Sequence, residues 1–227
     1  QGNQVGAIGI SSFHDCDTII VSRGPLSFTN RVKKRAFDLA LTVPALIFLM
    51  PLMLVVAIAI RIESPGPVFF KQRRVGQGNR MFDILKFRSM RVEMSDADGA
   101  VSTQRDDARI TRVGRIIRKT SIDELPQLIN VLRSDMSLIG PRPHALGSLA
   151  GDKLFWEVNE RYWLRHALKP GITGLAQVRG FRGATHRQED LEDRLQSDLE
   201  YLNGWRLWRD ITILFGTLKV LVHPHAY

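Results

Sequence analysis

Residues Leu41 to Ile60 read LTVPALIFLMPLMLVVAIAI, a run without a single charged side chain. A helix of that length is long enough to enter or cross a bilayer. A buried core helix is the competing reading. The flanks bear on which it is. Arg31, Lys33, Lys34 and Arg35 precede the run, and Arg61, Lys71, Arg73 and Arg74 follow it. Basic residues mark the cytoplasmic side of a membrane segment, so a simple span should carry them mainly at one end. A re-entrant helix, dipping into one leaflet and returning to the same face, satisfies both flanks. Pro51 is the expected break, near Met50, because proline removes an amide and crowds the carbonyl four residues earlier.

The rest of the chain is basic. Its 227 residues hold 32 Lys and Arg against 23 Asp and Glu, a formal charge of +9. Such a balance favours an anionic partner: a nucleic acid, an anionic membrane surface or a phosphorylated substrate. The one cysteine, Cys16, excludes an internal disulfide and a cysteine metal cluster. A reducing, cytoplasm-facing location fits that usage. The chain starts without Met and without a signal peptide, which reads as a fragment or a processed chain. Three regions are expected: 1–30, a tail or linker from an upstream region; 31–63, the membrane helix; and 64–227, a small cytoplasmic α/β catalytic domain. The fold class is mixed α/β, with amphipathic helices at the membrane interface.

After the membrane run, SPGP (64–67) is a stiff turn. VFFKQRRVG and MFDILKFRSM flank a polar QGN, the pattern of a two-strand hairpin. Lys86 and Arg88, two apart on the second strand, share a face. They are either a phosphate-holding pair or the charged guard of an edge strand. Residues 93–107 read as a polar loop. RITRVGRIIRKT follows as a helix with Arg115 and Arg118 on one side.

KTSIDELPQLIN (119–130) places two acids side by side, Asp123 and Glu124. One reading is a capping box, Ser121 with Glu124, opening a helix. In MSLIGPRP, Arg142 stands between Pro141 and Pro143. The second proline holds it extended, and a fixed guanidinium suits bidentate phosphate contact; a structural turn with a surface Arg is the alternative. The glycines of KPGITGLAQVRG (169–180) would let amides approach a ligand, although the spacing matches neither a P-loop nor a dinucleotide fingerprint. Leu191, Leu195, Leu199 and Leu202 form a core-facing helical stripe. The segment from Trp205 to Val222 is either an interfacial helix or a core helix. Asp210 on it is an isolated acid: a salt-bridge partner of an arginine or a site residue.

In order along the chain, KRAFDLAL, SPGPVFFKQRRVG, FDILKFRSM, RKTSIDELPQLINVLRSDMSLIGPRP and KPGITGLAQVRG resemble the bacterial sugar transferases known as monotopic phosphoglycosyl transferases. The likeness runs from about Arg31 to the C-terminus. GPRPHA, GFRGAT and the closing HPHAY look most like the branch acting with undecaprenyl phosphate and glucose 1-phosphate in exopolysaccharide assembly. The resemblance implies that Asp123 is the nucleophile toward the β-phosphate of a UDP-sugar, and that Glu124 binds Mg²⁺. It places Lys86, Arg118 and Arg142 on phosphate. Gln177 and Asp210 fall on motif positions of less defined role, and Arg88 rests on its shared face with Lys86. A UDP-sugar, undecaprenyl phosphate and membrane lipid are the implied partners, with a homodimer a further one; the implied location is the cytoplasmic face of the bacterial inner membrane. Glucose is the expected sugar and galactose the alternative. Smaller members carry Ser-Pro at the membrane break where this chain has Met50-Pro51.

Two other function classes compete. A basic membrane-tethered nucleic-acid binder fits the charge. It lacks a clustered basic face, an aromatic platform and any binding motif, so nucleic acid is not an expected partner. In a non-catalytic scaffold, the acid pair would only cap a helix.

Overall fold

The computed structural model describes residues 9–13, 16–20, 25–91, 107, 109–181, 185 and 187–222. The expected loop 93–107 apart from its last residue, the middle of GFRGAT (182–184) and all of HPHAY lie outside them. Within the N-terminal segment, β1 (Gly9–Phe13) and β2 (Cys16–Ile20) pair as an antiparallel hairpin.

The apolar run lies in one long helix, α1 (Phe28–Glu63), capped by Ser27, whose hydroxyl accepts from the Asn30 amide. It is the one described helix long and apolar enough to cross a membrane. Helical structure continues through Pro44 and Pro51. The break expected near Met50–Pro51 is not an interruption of the helix, which is continuous through both prolines. A proline deletes one amide and displaces one carbonyl, and bonds on either side carry the helix past it. The apolar side chains of α1 mostly face outward: Ile47, Phe48, Met50, Leu54, Val55 and Ile58 are exposed, Phe48 at 83%. That surface separates α1 from a soluble core helix, which would bury it.

Both ends of α1 are moored to the rest of the chain. Near its start, Lys34 donates to the Ile139 carbonyl at 2.9 Å and pairs with Asp210 at 2.7 Å. Asp38 accepts from Ser137 and from the Leu138 amide. Near its end, Val56 and Ile60 pack with Phe87 and Ile117, and the Glu63 carboxylate accepts from the Arg112 and Val113 amides.

The expected hairpin forms: β3 (Phe69–Val75) pairs antiparallel with β4 (Met81–Phe87) around a tight turn at 77–79. Then come α2 (Arg112–Lys119), a single 3₁₀ turn at Ile122–Glu124 and α3 (Gln127–Leu132). Next, β5 (Ser137–Ile139) runs parallel to the later β8 (Gly171–Thr173). Between them lie a small hairpin, β6 (Leu149–Ala150) with β7 (Lys153–Leu154), then α4 (Phe155–Val158) and a 3₁₀ segment at Glu160–Ala167. The chain closes with α5 (Leu175–Val178), α6 (Gln188–Asn203) and α7 (Leu207–Val222).

The core is divided rather than single. One cluster joins Ile139, Leu168, Tyr201, Leu202, Trp205 and Ile213 under the start of α1. Another lies under its end. On α6 the leucine stripe faces inward as expected, with Leu191, Leu195 and Leu202 buried. On α7 the two readings divide the faces: Ile213 is buried, while Trp208, Phe215 and Leu218 stand exposed.

Candidate active site

The acid pair does not open an α-helix. Ser121 adopts a left-handed conformation, φ 56°, and makes no side-chain cap. The capping box read from Ser121 and Glu124 is thus absent. A left-handed non-glycine residue costs about 1–2 kcal/mol. The strain is held by the residues on either side of the acids. Ile122 and Leu125 pack into the apolar cluster of Val56, Ile60, Phe87 and Ile117, so the pair is pinned against the end of α1. Gly114 lets α2 approach closely enough: a β-carbon there would lie 2.0 Å from the Ser89 carbonyl oxygen.

With the cap gone, Glu124 takes other partners. Its Oε1 accepts from Lys86 Nζ and from Arg142 Nη2, each at 2.7 Å. Burial alone would raise the Glu124 carboxyl, but Arg142 and Lys86 overcome that and hold it well below the usual carboxylate range. Asp123 moves the other way. Burial pushes it up and the Glu124 charge adds to this, against Lys86, Arg118 and Arg142. Adjacent carboxyls driven apart by their surroundings are a mark of divided chemical roles.

The structure therefore gathers Lys86, Arg118, Asp123, Glu124 and Arg142. It does not bring in the other expected residues. Arg88, just past β4, is buried and donates to the Ser64 and Pro65 carbonyls and the Ser64 hydroxyl. It braces the turn leaving α1. Asp210 is fully buried, held by Lys34, Tyr201 and Trp205. Its partner is a lysine, not an arginine, and the group moors α1 to α7. Gln177 is buried in α5 and donates to the Ile172 carbonyl. The glycines of that loop serve close backbone packing: a β-carbon on Gly171 would fall 2.1 Å from the Gly140 nitrogen. This crossing supports the Pro141-Arg142-Pro143 turn, through the bond from the Gly171 amide to the Pro141 carbonyl.

Two features escaped the sequence. Buried Arg165 donates to the Arg142 carbonyl at 2.8 Å and pairs with buried Asp198 at 2.6 Å. No local pattern joins residues 142, 165 and 198. The other is Arg74. Cross-strand register puts Gln72 opposite Ile84 and Phe70 opposite Lys86, so alternate β3 residues, Arg74 among them, share the Lys86 face. Reading both strands of the hairpin rather than the second alone would have found it.

As for a metal, no three His, Cys, Asp or Glu side chains come together among the described residues. Asp123 and Glu124 offer hard carboxylate oxygens, one of them held ionised. That donor set fits Mg²⁺, which is commonly bound through one or two carboxylates plus substrate phosphates.

Sequence comparison gives the family. The family described as bacterial sugar transferase matches residues 29–224, and the chain belongs to it. An undecaprenyl-phosphate glucose phosphotransferase of Komagataeibacter xylinus is 50% identical over 92% of the chain, though the match covers 40% of that protein. A UDP-glucose:undecaprenyl-phosphate glucose-1-phosphate transferase of Escherichia coli K12 is 46% identical over 89% of the chain and 43% of its own length. An exopolysaccharide production protein of Rhizobium leguminosarum bv. phaseoli is 48% identical over 82% of the chain and 94% of its own length. The chain thus spans less than half of two of these relatives and nearly all of the third.

Proposed function

We propose that this protein transfers a hexose 1-phosphate, glucose 1-phosphate by the names of two relatives, from a UDP-sugar to undecaprenyl phosphate, as the first step of exopolysaccharide repeat-unit assembly. The observation that carries the reading is the split pair: Glu124 clamped between Lys86 and Arg142, with Asp123 beside it among cations. An Asp123 oxygen attacks the β-phosphorus. The bond from that phosphorus to the bridging oxygen breaks, and UMP leaves with the oxygen. A phosphate oxygen of undecaprenyl phosphate then attacks the same phosphorus, and the Asp123 carboxylate is released. Carboxylates are established covalent nucleophiles, and a raised pKa makes Asp123 a more basic one. Lys86, Arg118 and Arg142 offset the charge of the diphosphate during the approach. Mg²⁺, held by Glu124 and the substrate diphosphate, would add further neutralisation.

The catalytic body sits at the cytoplasmic membrane surface. Both moorings of α1 lie on that one body, which supports a helix that enters and returns on one face. Between Asp38 and Val56 a straight helix would run about 27 Å, comparable to the roughly 30 Å bilayer core.

The test is UMP release without lipid acceptor. A covalent route gives up to one equivalent per site, and Asp123→Asn abolishes both this burst and turnover while staying folded. Covalent trapping of labelled phosphosugar by Asp123→Asn would move the nucleophile elsewhere. A panel of UDP-sugars tests glucose against galactose.

A further inference from the structure

The start of α1 carries a second group of cations, at the end of the helix away from the acid pair. Phe28, Arg31, Val32, Arg35 and Leu39 recur at helical spacing and share one face of α1. Together with Lys169, in the loop before β8, they line a cleft of about 610 Å³. Two of the three cations are held in place by neutral partners. Arg35 donates to the Val131 and Leu132 carbonyls at the end of α3, at 2.7 and 2.9 Å, and Lys169 donates to the Ser134 hydroxyl. No carboxylate lines the cleft among the described residues. The cations stand beside bare apolar surface: Phe28 is 74% and Val32 52% exposed. A free anion would use the charges and leave that surface wet. An amphiphile with an anionic head uses both.

The position suits a lipid. Leu41, the first residue of the uncharged run, follows Arg35 by six residues, about 9 Å of helix, and follows Leu39 by two. Where α1 enters a bilayer, the cations stand at the polar layer and Leu39 at its inner edge.

We propose that this cleft binds an anionic phospholipid of the surrounding leaflet, its phosphate among Arg31, Arg35 and Lys169 and the start of an acyl chain along Val32 and Leu39. Basic pockets beside membrane helices hold such headgroups. The proposal rests on the reading of α1 as a membrane helix and extends it to a lipid site apart from the catalytic one.

Titration of the detergent-solubilised full chain with phosphatidylglycerol, with bound lipid counted by native mass spectrometry, tests this. Phosphatidylglycerol should bind, and zwitterionic phosphatidylcholine at least about tenfold more weakly. Arg31→Gln and Lys169→Gln should each weaken phosphatidylglycerol binding about fivefold, the loss of one basic contact at a lipid surface. Arg73→Gln, an equal loss of charge where the side chain is 76% exposed on β3, should leave it unchanged. Should Lys169→Gln fail to fold, Arg31→Gln carries the test, since Arg31 is exposed. Unchanged affinity in either folded cleft variant, equal weakening in Arg73→Gln, or equal binding of phosphatidylcholine overturns the site. A rise in the KM for undecaprenyl phosphate in the cleft variants would make the cleft the acceptor's seat and overturn the phospholipid as its occupant. Failure of the unaltered protein to associate with vesicles of either phospholipid overturns the membrane reading as well.

Discussion

Arg165 donates from Nη2 to the backbone carbonyl of Arg142, 2.8 Å away, and its own charge is met by Asp198. The residue that clamps Glu124 is therefore held from behind, by a buried ion pair that touches neither carboxylate of the site. Removing one partner of a buried pair strands the other and costs about 3–5 kcal/mol. Asp198→Asn should lower the melting temperature, and the folded fraction at low temperature should turn over more slowly because Arg142 has lost its anchor. Thermal melts and UMP release check both parts. Unchanged turnover in the folded fraction would make the pair purely a stabiliser.

Arg142→Lys keeps the charge but loses the planar fork. We expect about 1.5–3 kcal/mol less transition-state stabilisation, the range for hydrogen bonds to charged groups, read as a fall in kcat/KM for the UDP-sugar. A near-normal rate would reduce Arg142 to part of a structural turn.

Glu124→Gln should cost stability as well as activity, because Lys86 and Arg142 would lose the charge between them. The loss should be about 1–3 kcal/mol, below the fully buried range because the Arg142 side chain is 38% exposed. The sign with pH follows from the depressed Glu124 pKa. Its contribution is fully present above the ordinary glutamate value and is lost as pH falls through the depressed one. The stability gap between the two proteins, from urea titrations, should thus close as pH is lowered from about 5 toward 2. A gap independent of pH would mean that Glu124 acts through packing and not charge.

Cysteines at Lys33 and Lys71, both exposed, should both be labelled from the cytoplasmic side. Lys34 is unsuitable, since it holds Asp210. Labelling from opposite sides would establish a spanning helix.

The sequence alone carried the long apolar helix, the β3–β4 hairpin, the inward stripe of α6 and most of the cationic cluster. These follow from local rules: an uncharged run, alternation across a turn, apolar spacing of a helix. Proline on both sides of Arg142 similarly marked a fixed cation before any fold was known. Only the tertiary structure decided what Glu124 does. Ser-Ile-Asp-Glu reads locally as a capping box, but Ile122 and Leu125 gain more by burying against Val56, Ile60 and Phe87 than the helix start would gain from a cap, and Ser121 is forced left-handed. Glu124 is then free to meet Lys86 and Arg142. The tertiary structure also sorted the look-alikes. Arg88 and Asp210 have the residue types of a site, yet the first braces a turn and the second moors a helix. Charge type is written in the sequence, but the partner of each charge lies tens of residues away, and distance along the chain says nothing about which carbonyl or carboxylate will be within 3 Å.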